Sequence, residues 1–203
     1  MSGPASYWDS RSDRYQYPGS GVLKNIPGIQ NARELEAYEQ LMTGARVEEC
    51  VQAIRAMPVD LAMWQAIHRT LFQDIYEWAG ELRSVQLAKG GNVFAHPQHI
   101  EREGRRLFGQ LAEEHGLRGL RQEALVSRLA YYFAETNVLH PFREGNGRTQ
   151  KLLFNEIARR TGHAIYWPQI DAERLLKAIL EAFERQQYAA LERLFRATVT
   201  PAP

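Results

Sequence analysis

A single cysteine, Cys50, stands among 203 residues. No intrachain disulfide can form, so burial and hydrogen bonding must hold the fold. The thiol reads as a half-buried helical side chain in a reducing compartment. Long apolar runs are missing too. No stretch approaches the ~20 residues of a membrane span, which excludes a spanning helix. The opening MSGPASYWDSRSDRYQYPGSG has no apolar run behind a basic start, so no signal peptide is expected and the expected location is the cytoplasm. Excess charge of one sign is also absent. Lys and Arg total 25 against 24 for Asp and Glu, a formal net charge of +1. That argues against bulk attraction to nucleic acid or to an anionic membrane, so neither is expected as a partner. The chain has no GxxxxGK[ST] phosphate loop, no internal repeat and no low-complexity tract.

What is present suits one domain with a real core. Residues 1–30 are rich in Gly, Pro, Ser and Tyr and lack periodicity. They are predicted to form an arm packed on the body through Tyr15, Tyr17 and Ile26. Residues 31–200 are predicted to form the single domain. Asn31 can cap a helix ending at Gly44. A second stretch runs from Val47 to Met57 and stops before Pro58. Asp60 can cap a third helix reaching Gly80, with Leu61, Trp64, Ile67, Leu71 and Ile75 at helical spacing. The pattern then alternates, and a KGGN turn follows. This predicts a short β-hairpin over about 82–95, the one convincing β signal in the chain. Helices follow over 97–116, 121–140, 148–160, 171–185 and 188–199. The tail TPAP is expected to fray. The predicted fold class is all-α, a helical bundle with one short hairpin. His96 and His99 read as a helix start with solvated imidazoles, and His68 as a satisfied core or boundary residue.

One stretch crowds chemistry into a few positions: HPFREGNGRTQK, residues 140–151. Gly145, Asn146 and Gly147 stand where a helix begins. Helix starts carry unpaired N–H groups and a partial positive charge. Glycines let another group approach the backbone closely, so the triplet fits a cradle for phosphate oxygens. Arg148 lies in the first turn, and Lys151 shares its helix face three residues on. Glu144 would repel a polyphosphate unless Mg²⁺ lay between them, and Mg²⁺ binds through one carboxylate plus phosphates. His140 is the group nearby with a free pKa near neutrality, able to take a proton from a hydroxyl. Phe142 alternates with these polar residues and is expected to anchor the loop in the core. Each feature alone also reads as plain structure: GNG as a turn, His-Pro as a helix end. Their joint order and spacing favour the chemical reading.

The stretch closely resembles the signature of the Fic family, His-Pro-Phe-x-(Asp/Glu)-Gly-Asn-Gly-Arg-x-x-Arg. The resemblance extends over roughly Leu61 to Arg160, and the upstream KGGNVFA resembles the family's flap hairpin. The early YPGSGVLKN is similar to that of short, stand-alone bacterial Fic toxins. The resemblance implies the Fic fold and a protein adenylyltransferase that moves AMP from ATP to a target hydroxyl and releases pyrophosphate. It implies that His140 is the base and Glu144 the Mg²⁺ ligand. It gives Gly145, Asn146 and Gly147 the anion hole and Arg148 the phosphate grip. Lys89 and Gly90 would border the nucleotide. Gly91, Asn92, Val93 and Phe94, on the flap, would dock a target segment by strand addition.

The family's last Arg is Lys151 here, which keeps the charge but loses the two-pronged geometry. A reduced γ-phosphate contact is expected. Many relatives also carry Ser/Thr-x-x-x-Glu-(Gly/Asn), a helix that obstructs the γ-phosphate site. No Ser or Thr here has a Glu four residues on; Thr70 with Asp74 comes nearest. The resemblance then implies a toxin whose small antitoxin partner supplies that helix in trans, with the ATPase subunits of DNA gyrase and topoisomerase IV as the implied target class. The alternatives are a Fic-type transferase using another donor or kinase-like chemistry, and a weakened binding module marked by Lys151.

Overall fold

The computed structural model describes residues 13–89 and 91–202. Side-chain caps open four of the eight described helices. Asn31 opens α1 (Ala32–Ala45), its side chain accepting from the N–H groups of Arg33 and Glu34. α2 (Val47–Ile54) follows after Arg46 alone. Asp60 accepts from the Met63 N–H at 2.8 Å and opens α3 (Leu61–Phe72). Strands β1 (Ala88–Lys89) and β2 (Asn92–Val93) pair antiparallel, Ala88 opposite Val93 and Lys89 opposite Asn92. α4 (Pro97–Glu113) starts with proline at its first position, where no N–H is missed. α5 (Gln122–Leu139) ends against Pro141, and α6 (Asn146–Arg160) begins after the quoted loop. α7 (Ala172–Arg185) is capped by Asp171, and α8 (Ala189–Thr198) closes the bundle.

The helices share one core. α3 packs on α2 and α6, and α5 packs on α6 and α8. Trp64 and Ile67 of α3, Leu129 and Phe133 of α5, and Leu153 and Phe154 of α6 are all buried. Aromatic edges organise the centre. Phe133 meets Phe154 at 5.0 Å and Phe195 at 5.4 Å, both near perpendicular. Each such buried side chain contributes about 1.5–3 kcal/mol by leaving water. This core fixes α3, α5 and α6, the three helices from which the site is built.

Several boundaries differ from the sequence expectation. α3 stops at Phe72, eight residues before Gly80, because the Phe72 carbonyl accepts from both Ile75 and Tyr76 and the chain curls. That turn leaves Ile75 and Tyr76 buried in the core. The hairpin strands are two residues each, and residues 82–87 are irregular, tied instead by Arg83. The hairpin does not hold the only strands. β3 (His163–Ile165) pairs with β4 (Val199–Pro201), so the start of the tail is a strand with Val199 buried. Three residues carry no visible alternation, which is why the sequence hid both. Cys50 is fully buried, and burial pushes its thiol up to about 12, leaving it protonated.

From residue 13 onward the early segment buries Tyr15, Val22 and Leu23. Ile26 is half exposed and binds through its backbone, its N–H donating to the Ile75 carbonyl at 2.8 Å. A deeper anchor is Asp13, whose carboxylate meets the buried Arg143 guanidinium at 2.6 Å. Residues 1–12 of the predicted arm lie outside the described residues.

Candidate active site

His140 is the residue that ends α5. It adopts the left-handed conformation, φ 43° and ψ 61°, with its N–H donating to Thr136 O at 3.2 Å. A non-glycine residue rarely sits there, so the surroundings must hold it. Phe94, following β2, stacks on the imidazole at 3.8 Å and 11°. Arg83 donates from Nε to the His140 carbonyl at 2.7 Å. Burial pushes the imidazole pKa down to about 3, the positive charges of Arg83 and Lys89 push the same way, and the Asn137 backbone partly opposes them. The ring is neutral at pH 7 and has a lone pair to accept a proton.

The loop after it is clipped in two places. Asn146 accepts from the Phe142 N–H at 2.9 Å and donates to the Phe142 carbonyl at 2.7 Å, closing the loop on itself. Phe142 is fully buried, packed edge-on against Trp64 at 5.6 Å. His68, from α3, is the second clip. Its Nδ1 accepts from the Gly80 N–H at 2.8 Å, so the proton is on Nε2, which donates to the Glu144 carbonyl at 3.1 Å. Burial first, then the Arg148 charge, push this imidazole down to about 3, against the Glu144 carbonyl bond. His68 is therefore a core residue with both nitrogens satisfied, and it also fixes the loop that carries Glu144.

Gly145 has φ +78°, and a Cβ built there would lie 2.3 Å from Phe72 Cζ. Only glycine brings the loop this close to α3. α6 then begins. The N–H groups of Asn146, Gly147 and Arg148 have no protein acceptor among the described residues, as at any open helix start. Gly147 has nothing within 4 Å of where a Cβ would sit. The sequence expectation gave Asn146 to the anion hole; its side chain is spent on Phe142, so only its backbone can take part.

One cavity of about 600 Å³ is lined by Lys89, Phe94, His140, Glu144, Gly147 and Arg148. That is within the usual size of a small-ligand site, ~300–1,000 Å³. Val22 and Leu23 of the arm and Glu36 and Glu39 of α1 line it too. Arg148 extends over the Phe72 ring, 4.7 Å from its centroid. Its guanidinium is held by the Glu39 carboxylate and lies 3.5 Å from Glu144 Oε1. Glu39 also accepts from the Tyr76 hydroxyl. Burial raises its pKa, with the nearby Glu144 charge acting the same way and Arg148 opposing.

Glu144 is one carboxylate on the cavity wall with an oxygen a metal could meet. Its Oε1 accepts from the Gly145 N–H at 2.8 Å, while Oε2 has no protein partner among the described residues. No cluster of three or more metal-binding side chains exists among the described residues. One free carboxylate oxygen beside an anion cradle suits Mg²⁺, which takes few protein ligands and shares phosphates and water.

Lys151 is placed apart from this group. Its Nζ lies over the Trp167 ring at 5.7 Å, and the residue does not line the cavity. On the flap, Gly91 has φ +87° in the turn, Asn92 donates to Glu184 at 3.3 Å, and Val93 is half exposed. Gly90 lies outside the described residues. Five residues that shape the site were not singled out by sequence: Glu39, Phe72, Arg83, Arg143 and Asp13. Arg143 occupied the variable position of the motif, and the others lie 57 to 127 residues from His140 with no local pattern to mark them.

Residues 58–158 match the Fic/DOC family. The chain is 39% identical over 177 residues to a probable protein adenylyltransferase, y4lH, of Sinorhizobium fredii, covering 87% of this chain and 91% of that protein. It is 39% identical over 192 residues to the probable protein adenylyltransferase Fic of Salmonella typhimurium, covering 94% of each. Its fold superposes on the crystal structure of BepC, a VirB-translocated effector of Bartonella tribocorum with bound AMPPNP. The TM-score is 0.84 at 25% identity, over 96% of this chain and all of that one. With its helical bundle, flap hairpin and clipped GNG loop, the chain belongs to the Fic/DOC family.

Proposed function

We propose that this chain is a protein adenylyltransferase, moving AMP from ATP to a hydroxyl side chain of a target protein. The observation that carries the reading is the placing of a neutral imidazole and an open helix start on the walls of one cavity. The relatives' names and the AMPPNP bound by BepC support it.

Phosphate oxygens accept from the free N–H groups at the start of α6, where the helix dipole favours them. Arg148 adds charge and Gly147 leaves room. His140 takes the proton from the attacking hydroxyl. As the oxygen bonds to the α-phosphorus, the α–β anhydride bond breaks and pyrophosphate leaves. A general base contributes ~10²–10⁴-fold to such a step. Mg²⁺, held through Glu144, would neutralise phosphate charge. Lys89 borders the nucleotide. Within residues 91–94, strand β2 is half exposed at Val93, and a target segment can add to it.

The missing Ser/Thr-x-x-x-Glu pattern supports a separate antitoxin that supplies the restraining helix, and the resemblance to short Fic toxins points to type II topoisomerase ATPase subunits as targets. No described helix is long and apolar enough to cross a membrane. The test is a lysate incubated with the protein and ATP labelled at either the α- or the γ-phosphorus. Label from the α position, lost in His140→Ala, supports adenylyl transfer; γ-label on the target means kinase chemistry instead. Mass spectrometry of the labelled band names the target. One observation favours the weakened-module reading: Lys151 is occupied with Trp167 and stands off the cavity. An inert natural protein made active by Lys151→Arg would establish it.

A further inference from the structure

Arg83 lies between the flap and the end of α5, only 2% exposed. Its guanidinium meets carbonyls alone. Nε donates to His140 at 2.7 Å, Nη1 to Val85 at 2.7 Å, and Nη2 to Ala95 at 2.6 Å and to Leu139 at 3.4 Å. Its own N–H donates to the Pro141 carbonyl at 2.9 Å, and Ala95 N–H donates to Val138 O at 3.0 Å. Val85 and Ala95 flank the hairpin on either side; residues 138–141 carry His140. No carboxylate neutralises Arg83 among the described residues.

From this geometry we infer that Arg83 is a positioning residue for the reaction proposed above, coupling the flap to His140 and keeping the imidazole ready as a base. The inference rests on the reading of His140 as that base. The planar fork is what allows it. Its donors point in several fixed directions, so one side chain ties both feet of the flap to the backbone of His140. A target segment lying on the flap is thereby held at a set distance from the imidazole. The same fork fastens the carbonyl of a residue in an uncommon left-handed conformation. Misplacement by about 1 Å can cost 10²-fold in rate.

The charge has a second effect. Burial pulls the guanidinium pKa down to about 10, so it stays positive at pH 7. A fixed cation beside His140 disfavours the imidazolium. The other charged groups lining the cavity with the ring are Lys89 from β1, Arg143 and Glu144 from the loop, Arg148 from α6, and Arg33, Glu36 and Glu39 from α1. Of these, Lys89 acts with Arg83, while Glu39 and Glu144 are partnered by Arg148.

The test uses the full chain carrying ring-labelled histidine, without nucleotide or target, and follows the His140 resonance with pH by NMR. His140→Asn assigns the signal. In Arg83→Gln the midpoint should rise by about one unit or more, because removing a cation eases protonation. Arg83→Lys should leave the midpoint near the natural value, since the charge remains. The same Lys variant should lose about tenfold or more in α-label transfer, because the fork is gone. AMPPNP affinity, measured by calorimetry, should hold in both. A folded Arg83→Gln whose His140 stays neutral over the natural pH span overturns the coupling. If Arg83→Gln does not fold, Arg83→Lys decides: full transfer activity overturns the inference, and lost transfer with intact AMPPNP binding and an unmoved midpoint upholds it. Because the titration needs no turnover, an inert natural protein showing the shift in Arg83→Gln would sink adenylyl transfer and leave this coupling standing.

Discussion

The two glycines of the Gly145-Asn146-Gly147 triplet should respond to alanine with opposite signs. At Gly145, alanine meets two penalties. The backbone is left-handed at φ +78°, which costs an L-residue about 1–2 kcal/mol. The new methyl would also lie 2.3 Å from Phe72 Cζ and 2.4 Å from Cε2, well inside contact distance. Phe72 has no room to retreat. It is fully buried, stacks on His68 at 4.7 Å and carries the Arg148 guanidinium on its face. Overpacking of this kind costs about 1–3 kcal/mol. Together Gly145→Ala should lose about 2–5 kcal/mol. Gly147 is helical with nothing within 4 Å, so Gly147→Ala should gain about 0.5–1 kcal/mol of stability. Its methyl would nevertheless stand at the cavity wall by the free N–H groups, and AMPPNP should bind about tenfold more weakly, or 1.4 kcal/mol. Urea unfolding at pH 7 with calorimetry on each variant measures both. A Gly145→Ala protein within 1 kcal/mol of the natural one, or a destabilised Gly147→Ala, would refute this account of the cradle.

His140→Ala should cut α-label transfer by about 10²–10⁴-fold with the unfolding midpoint retained; equal labelling would remove it from the base role. Asp13→Ala breaks the buried pair with Arg143 and should cost about 3–5 kcal/mol in urea unfolding, against well under 1 for an exposed pair such as Arg105–Glu101. Glu39→Gln removes a negative charge facing the cavity, so AMPPNP should bind about 3- to 10-fold more tightly at low salt; weaker binding would mean that Glu39 aims Arg148. His68 and His140 are both pushed down to about 3 in the fold, below the ordinary 6.5. The unfolded chain therefore takes up protons that the fold refuses, and stability falls as pH drops below about 6.5, by up to 1.4 kcal/mol per unit for each group. Urea midpoints from pH 7.5 to 5 that stay flat would contradict buried neutral imidazoles.

The fold was readable where a local signal existed. Asn31, Asp60 and Asp171 are caps, and each does cap its helix. The helical spacing of Leu61, Trp64, Ile67 and Leu71 does face the core. The same periodicity misled at Ile75. That residue is buried as expected, yet by a turn after Phe72, because burial alone does not distinguish a continued helix from a chain curling back. β3 and β4 could not be seen at all. Each is three residues long, and their pairing joins His163–Ile165 to Val199–Pro201, a partnership set by the helices between them.

The site divides along a similar line. Residues placed by their own short segment were legible in position: His140 at a helix end, the glycines at the next helix start, Glu144 between them. What holds them in place was not. Phe72 makes Gly145 obligatory from 73 residues away, His68 fixes the Glu144 carbonyl from 76, and Glu39 holds Arg148 from 109. Lys151 shows the converse. Helical spacing alone put it on the Arg148 face, and three residues along a helix do bring two side chains together. Yet a long, flexible amine has several places to go, and here the indole face of Trp167 takes it. Attraction to an aromatic face is worth about 0.5–1 kcal/mol at an exposed site, a sum that a phosphate could outbid. A phosphate in the cavity would therefore compete with Trp167 for the amine. Weakening the competitor with Trp167→Leu should free the amine and tighten AMPPNP binding if Lys151 can reach the phosphates; unchanged affinity would show that it has no part in the site.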